Sequence, residues 1–298
     1  MTAGTPQDDH GSALYDEAAR LDDALEDLDW SVPPEGAVRG WVDAPSGRLA
    51  TLSMGEGPRV VLVPGVTGSK EDFSLMLPLL AAAGYRAESY DMAGQYESAA
   101  AGPPRGHYDH RLFVDDLLSV LERGGGPVHV LGYSFAGTVA QLAFARRPEL
   151  FASLTLLSTP PEPGQGFRGL KRLGRLTGLA TGRIGAALMI WGVRQNVTKV
   201  PPGRLAFVRQ RFALTRRSSV ADIIVLMKHA PDVRAVLMAA DIPKLVAVGE
   251  HDLWPLALHA ANAEAIGARL AVYRTGHSPC ETAPHQLVRD LLELYARA

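Results

Sequence analysis

The chain has 298 residues, of which 47% are hydrophobic and 21% charged, and its formal net charge is −2. That balance belongs to a globular chain of one or two domains whose core needs no disulfide support. A lone cysteine, Cys280, excludes a disulfide framework and a cysteine-built metal site, and a near-neutral chain without a recognised binding motif speaks against a nucleic-acid partner.

The first thirty residues hold nine acids and a single base, Arg20, and lack the basic start and apolar stretch of a secretion signal, so a cytoplasmic protein is expected. Leu14, Ala18, Leu21, Leu25 and Leu28 fall at alternating spacings of four and three. That spacing predicts a helix over 12–29 with one apolar stripe, too short to be stable alone in water. Docking on a basic surface of the same chain through the leucines, binding a partner and remaining a plain tail are all open for it.

Two strands are expected in "AVRGWVDA" and "RLATLSM", joined by a turn at Pro45-Ser46-Gly47. "RVVLV", 59–63, is the all-apolar run of a buried parallel strand. A helix from Lys70 to Ala83, a strand in "YRAESYD", a helix from Tyr108 to Arg123, a strand in "VHVLGY", a helix from Phe135 to Arg147 and a strand in "SLTLLS" follow. Residues 161–240 break the alternation: they read as helical, with fourteen Lys/Arg against three acids. The apolar stretch Ile184–Val193 within them is ten residues long, against about 20 needed to cross a bilayer. "KLVAVG", a helix near Pro255–Ile266, "RLAVYR" and a last helix from Pro284 complete the chain. Alternating strands and helices imply an α/β protein with a mostly parallel sheet covered on both faces. The expected segments are an acidic N-terminal piece (1–35), a core (36–160 and 241–298) and a helical cap insertion (161–240).

Ser134 lies where the run "VHVLGY" ends and the helical period begins, with Gly132 and Ala136 two residues to either side. A strand-to-helix turn that sharp demands small neighbours, and it pushes the hydroxyl over the carboxyl edge of the sheet, at the positive end of the following helix. A serine hydroxyl needs a base, and the base an orienting acid. Asp252 follows the strand "KLVAVG" in "GEHDLWP", and His277 follows "RLAVYR" in "TGHSPCETAP". His251, beside Asp252, and Glu250, two residues before it, are the nearest competitors.

On these residues the chain resembles the α/β-hydrolase superfamily over roughly 36–298. The resemblance implies the α/β-hydrolase fold, with Ser134 as nucleophile, Asp252 as acid and His277 as base in the order that superfamily uses. It implies an oxyanion hole from the backbone N–H groups of Phe135 and of Val66 in "PGVTGSKEDF", where Pro64 replaces the usual histidine. Glu281 and the loop "DMAGQYES", similar to "DxxGxGxS", are implied to be structural. No metal or organic cofactor is implied. The expected substrate is a small acyl compound: a carboxylester, thioester or lactone. A C–C bond hydrolase or a non-enzymatic ligand receptor of the same fold are the alternatives. Epoxide hydrolases carry Asp at the elbow, where this chain has Ser.

Leu170, Leu173, Leu176 and Leu179, with Arg168, Lys171, Arg172 and Arg175 among them, predict an amphipathic basic helix in the cap. It is expected to cover the mouth above Ser134 and to favour medium apolar acyl groups, with membrane-surface contact as the other reading. Tyr133, Trp191, Trp254 and Phe135 are the expected pocket walls. The oligomeric state is left open.

Overall fold

The computed structural model describes residues 17–103, 107–164 and 200–298. Eight strands form one sheet in the order β1-β2-β4-β3-β5-β6-β7-β8. They are β1 (Val38–Ala44), β2 (Gly47–Met54), β3 (Arg59–Val63), β4 (Arg86–Tyr90), β5 (Val128–Tyr133), β6 (Phe151–Leu157), β7 (Lys244–Gly249) and β8 (Arg269–Tyr273). β1 and β2 form an antiparallel hairpin, β2 runs antiparallel to β4, and the remaining five pairings are parallel. The apolar runs predicted as parallel strands lie at the centre, and every residue of β5 and β7 is buried.

Side-chain alternation sends the central strands into two cores. Val128 and Val130 of β5 join Phe113 and Leu117 of α2 (His110–Leu121) and Phe144 of α3 (Phe135–Arg146) on one face. Leu131 and Tyr133 join Leu77 and Leu80 of α1 (Met76–Ala82) and Leu287 and Leu291 of α9 (Pro284–Tyr295) on the other. The helix expected from Lys70 to Ala83 is divided into a 3₁₀ turn, Lys70–Phe73, and α1. Lys70, Glu71 and Asp72 are all buried. Their charges follow ionic partners on other segments, Asp91 and Arg204 among them, and not a helical stripe.

The described part of the cap holds α4 (Pro202–Leu214), α5 (Arg217–Lys228) and α6 (Arg234–Met238), with no strand among its described residues. α7 (Leu256–Ala265) and α8 (Pro279–Thr282) follow β7 and β8. The predicted basic helix with Leu170 to Leu179, together with Leu14 and Trp191, lies outside the described residues.

The N-terminal segment departs from the expected docking through leucines. It is helical only over 17–23 of the described residues, and Leu21 and Leu28 are exposed. Its carboxylates make the contacts. Asp22 accepts from the backbone N–H and Nδ1 of His285, both at 2.8 Å, and from the backbone N–H and Nε2 of Gln286 at 3.1 and 2.9 Å. These are first-turn groups of α9, whose N-cap residue, Ala283, has no side chain that can accept. Asp27 does the same for α4: its Oδ2 accepts from Gly203 N–H at 2.6 Å, where the N-cap residue is Pro201. Trp30 then packs over the Arg204 guanidinium, 4.5 Å from the ring centre. One acidic segment thus caps a helix of the core and a helix of the cap, with the negative charge at the positive helix end in both cases.

Asp22→Ala should therefore remove about 1 kcal/mol of capping, which in a chain of this size lowers Tm by about 2–4 °C, and a chain beginning at Ala37 should lose more. Calorimetry checks this; equal midpoints for all three proteins would show that the segment adds nothing to stability.

Candidate active site

Ser134 has φ 54° and ψ −122°, backbone that L-residues rarely adopt and that costs of order 1–3 kcal/mol. Its N–H donates to Leu157 O at 2.8 Å, so the turn stays tied to β6 while α3 starts at the next residue. No side chain fits beside it. A Cβ on Gly132 would lie 2.5 Å from Ala136 O, and one on Gly137 would strike the Thr159 hydroxyl. The small residues are steric necessities of the turn.

The loops after β7 and β8 are tied together by Glu250 N–H on Tyr273 O at 2.8 Å and His251 N–H on Thr275 O at 3.0 Å. They bring the acid and the imidazole to the same sheet edge as the serine. His277 Nε2 lies 3.3 Å from Ser134 Oγ, and His277 Nδ1 lies 2.5 Å from Asp252 Oδ1. Among the described residues the Glu250 carboxylate pairs with His251 alone, at 3.2 Å, on the exposed side of the loop. The three residues singled out by their strand-end positions are thus brought into one hydrogen-bonded array, and the two competitors are turned away from it.

Sequence reasoning did not find His259. It lies buried on α7, and its Nε2 donates to Asp252 Oδ2 at 2.8 Å. Leu253 N–H donates to Oδ1 at 2.7 Å, so both carboxylate oxygens are occupied. Burial alone would raise the Asp252 pKa. The hydrogen bonds from His259 and His277 outweigh it and hold the carboxyl at about 2. The one signal in the sequence is spacing: His259 falls seven residues after Asp252, in the first turn of the helix that begins beyond it.

The loop after β3 presses on the serine, with a Cβ built on Gly65 falling 2.9 Å from Ser134 Cβ. Gly68 N–H donates to Gly65 O at 3.0 Å, closing a four-residue turn. Gly65 O therefore points into the turn and the Val66 N–H, on the other side of the same trans peptide, points out of it. Phe135, as the first residue of α3, has no acceptor within its own helix. Among the described residues, neither the Val66 N–H nor the Phe135 N–H donates to another group, and both belong to the segments that flank Ser134.

The expected pocket walls need correction. The Phe135 ring is fully buried against Phe113, with ring centres 5.4 Å apart, and forms core, not wall. Tyr133 and Trp254 are also buried, at 5.4 and 5.7 Å from the His277 ring, and Tyr133 Oη shares a 2.7 Å hydrogen bond with Ser278 Oγ. Both rings pack beside the imidazole. Glu281 is not confined to its own loop: it pairs with Arg204 of the cap, which also donates to Asp72 Oδ1 at 2.7 Å. Arg211 bonds the same Asp72 oxygen. Cys280 is fully buried, and burial pushes its thiol well above the ordinary value, so it is no thiolate nucleophile. Among the described residues no group of three or more His, Cys, Asp or Glu side chains is arranged to hold a metal ion, and no helix is long and apolar enough to cross a membrane.

Residues 60–291 match the family described as the alpha/beta hydrolase family. Over 135 residues the chain is 30% identical to bifunctional epoxide hydrolase 2 of Mus musculus, a match covering 44% of this chain and 24% of that protein. This chain thus matches only about a quarter of the length of such curated relatives. Among solved structures it is similar to a thermophilic esterase from Thermogutta terrifontis, with 24% identity and a TM-score of 0.67 over 87% of this chain and 99% of the other. It is also similar to the enol-lactonase from Burkholderia xenovorans LB400, with 18% identity and a TM-score of 0.70 over 86% and 100%. At these identities the structural likeness speaks to the fold.

The two histidines on Asp252 lead to a pH prediction. A carboxyl held below the usual value, about 3.9, contributes stability that is present above that value and lost as pH falls towards about 2. His259→Leu takes away one of the two opposing bonds, so the Asp252 pKa should rise and its contribution should be lost at higher pH. Acid unfolding followed by circular dichroism should show the midpoint of the variant moved upward; an unmoved midpoint would contradict the role given to His259.

Proposed function

The chain belongs to the alpha/beta hydrolase family, and on that premise we propose that it is a serine hydrolase of the carboxylesterase kind. It would cleave a carboxylester, thioester or lactone through an acyl-enzyme on Ser134. The observation that carries this reading is the array of Ser134 Oγ, His277 and Asp252 on a strained strand-to-helix turn.

His277 Nε2 takes the proton of Ser134 Oγ as that oxygen attacks the substrate carbonyl carbon. The tetrahedral oxyanion accepts from the N–H groups of Val66 and Phe135, aimed where negative charge develops. His277 returns the proton to the leaving oxygen or sulfur, and the acyl group stays on Ser134. Water, deprotonated by His277, then attacks the acyl carbon; the acid leaves and Ser134 regains its proton. Asp252, held ionised, fixes the tautomer of His277 and stabilises its cation in both halves. Pro64 leaves the Val66 N–H free, so it bears on how the loop is braced, not on the donor. Tyr133 and Trp254 set the imidazole orientation.

The similarity to epoxide hydrolases is weighed by chemistry. A serine oxygen that opened an epoxide would form an ether, which activated water does not cleave, whereas an acyl ester on the same oxygen is hydrolysed readily. Ser134 therefore favours acyl transfer. The small-molecule acyl substrate and the cap over the site remain parts of this reading; membrane-surface contact by the basic cap is the weaker alternative to the lid.

Ser134→Ala and His277→Ala should each lower kcat on p-nitrophenyl esters by about 10⁴- to 10⁶-fold, and Asp252→Asn by about 10⁴-fold. A fluorophosphonate probe should label the native chain and not Ser134→Ala. Labelling without turnover of any ester or thioester would speak for a ligand receptor; folded Asp252→Asn with native kcat would refute the assigned acid.

A further inference from the structure

The turn Gly65–Gly68 that presents the Val66 N–H is strained at its third residue. Thr67 has φ 63°, while Val66 keeps a negative φ, so the turn is of type II, whose third position ordinarily takes glycine. A threonine relaxes readily to a turn of the other type by flipping the Val66–Thr67 peptide. Something must hold that peptide, and it is Gln95. Its Oε1 accepts from Thr67 N–H at 3.0 Å. A flip would leave Thr67 N–H unpartnered and set the Val66 carbonyl against the Gln95 carbonyl.

The other end of the same amide reaches the cap. Gln95 Nε2 donates to Ser219 Oγ of α5 at 2.6 Å, and Ser219 Oγ donates to Ala93 O at 3.1 Å. Both Gln95 and Ser219 are fully buried. Because Thr67 N–H is a donor only, it fixes which end of the Gln95 amide faces the turn, and the three bonds run with one consistent polarity from Thr67 to Ala93. The contact is close: a Cβ on Gly94 would lie 2.6 Å from Ser219 Cβ. Arg216 N–H on Gly94 O at 2.9 Å and Tyr96 N–H on Thr215 Oγ1 at 3.0 Å join the same two segments. The Val66 side chain itself packs against Val220 and Ile224 of α5.

We infer that Gln95 is a positioning residue that couples the seating of cap helix α5 to the oxyanion turn: with the cap seated, Ser219 fixes the Gln95 amide, and Gln95 holds the central Val66–Thr67 peptide, so that the whole turn keeps its shape and the preceding Gly65–Val66 peptide, which carries the Val66 N–H, stays seated beside Ser134. This rests on the serine-hydrolase reading of the site. Gln95 touches no reacting atom and acts through Thr67, so its loss should affect the transition state more than substrate binding.

The test compares Gln95→Met, which fills the volume without an acceptor, Gln95→Glu, which keeps the acceptor, and Ser219→Ala, which cuts only the cap link. Steady-state kinetics on a p-nitrophenyl ester are read beside amide hydrogen exchange at Thr67. Gln95→Met should lower kcat by roughly 10- to 100-fold, less than outright loss of an oxyanion donor, with KM changed by less than about two-fold, and should lose Thr67 protection. Gln95→Glu should recover most of the protection, and Ser219→Ala should show a smaller fall in kcat at unchanged KM. Native kcat in folded Gln95→Met, or kcat and KM moving together, would overturn the inference. If Gln95→Met does not fold, Ser219→Ala decides, and native kcat there overturns the coupling. A native chain that neither turns over esters nor takes the fluorophosphonate sinks the hydrolase reading and the catalytic half of this inference with it; Thr67 exchange then judges the positioning half alone, and unchanged protection rejects it.

Discussion

A single residue with forbidding backbone geometry organises this molecule. Ser134 sits at φ 54° between the last residue of β5 and the first of α3, a conformation that persists only where its surroundings over-determine it. Those surroundings can be named. The ladder bond to Leu157 O holds the residue on the sheet, and Gly132 and Gly137 let the helix close down on the strand and on Thr159. Phe135 anchors the first turn of α3 in the core beside Phe113. The parallel sheet then supplies the remainder, because β7 and β8 end at the same edge and their loops carry Asp252 and His277 to the hydroxyl. Strain at one position is thus maintained by the packing of an entire α/β core.

Ionic contacts form a second organising layer, between core, cap and N-terminal segment. Asp72 receives both Arg204 and Arg211, and Glu281 receives Arg204 as well. Burial by itself would raise the Asp72 pKa, yet the two guanidinium groups outweigh it and hold the carboxyl below its ordinary value. Removing either partner from such a network strands a buried charge, so the network makes one relative placement of α4, the Lys70–Phe73 turn and α8 far better than its neighbours. Asp22 and Asp27 add helix caps at the edges of the same region. Tyr96, in a left-handed conformation with φ 39° where the resembling loop pattern has glycine, places its ring between Lys70 and Phe207.

Much of this was legible in the sequence, for physical reasons that also mark the limits. Buried parallel strands announce themselves as short apolar runs, and a serine forced into a sharp turn announces itself through the small residues that sterics demands around it. The order of Ser134, Asp252 and His277 could be read because Ser134 and Asp252 each follow such a strand and His277 follows the last strand of the alternation, β8. His259 could not, because a helix residue seven positions beyond an acid carries no periodic or steric mark of pointing back at it. Net charge misled in a similar way. Summed charge suggests two opposing surfaces, the acids of residues 1–30 and the bases of the cap, whereas Asp22 and Asp27 cap individual helix ends and Arg204 and Arg211 are buried against Asp72. Ala283 and Pro201 at these two helix starts have no capping side chain of their own, and Asp22 and Asp27 serve there instead. The division of Lys70–Ala83 has the same origin, since hydrophobic spacing does not register buried ion partners.

A serine-hydrolase mechanism requires that Ser134 itself becomes acylated. The direct measurement is rapid-quench mass spectrometry of the intact protein mixed with a slowly deacylating p-nitrophenyl ester, followed by peptide mapping. The account predicts a burst of one acyl group per chain, located on the peptide containing Ser134 and absent from Ser134→Ala. Ester turnover with no acyl adduct, or with the adduct on any other residue, would contradict it.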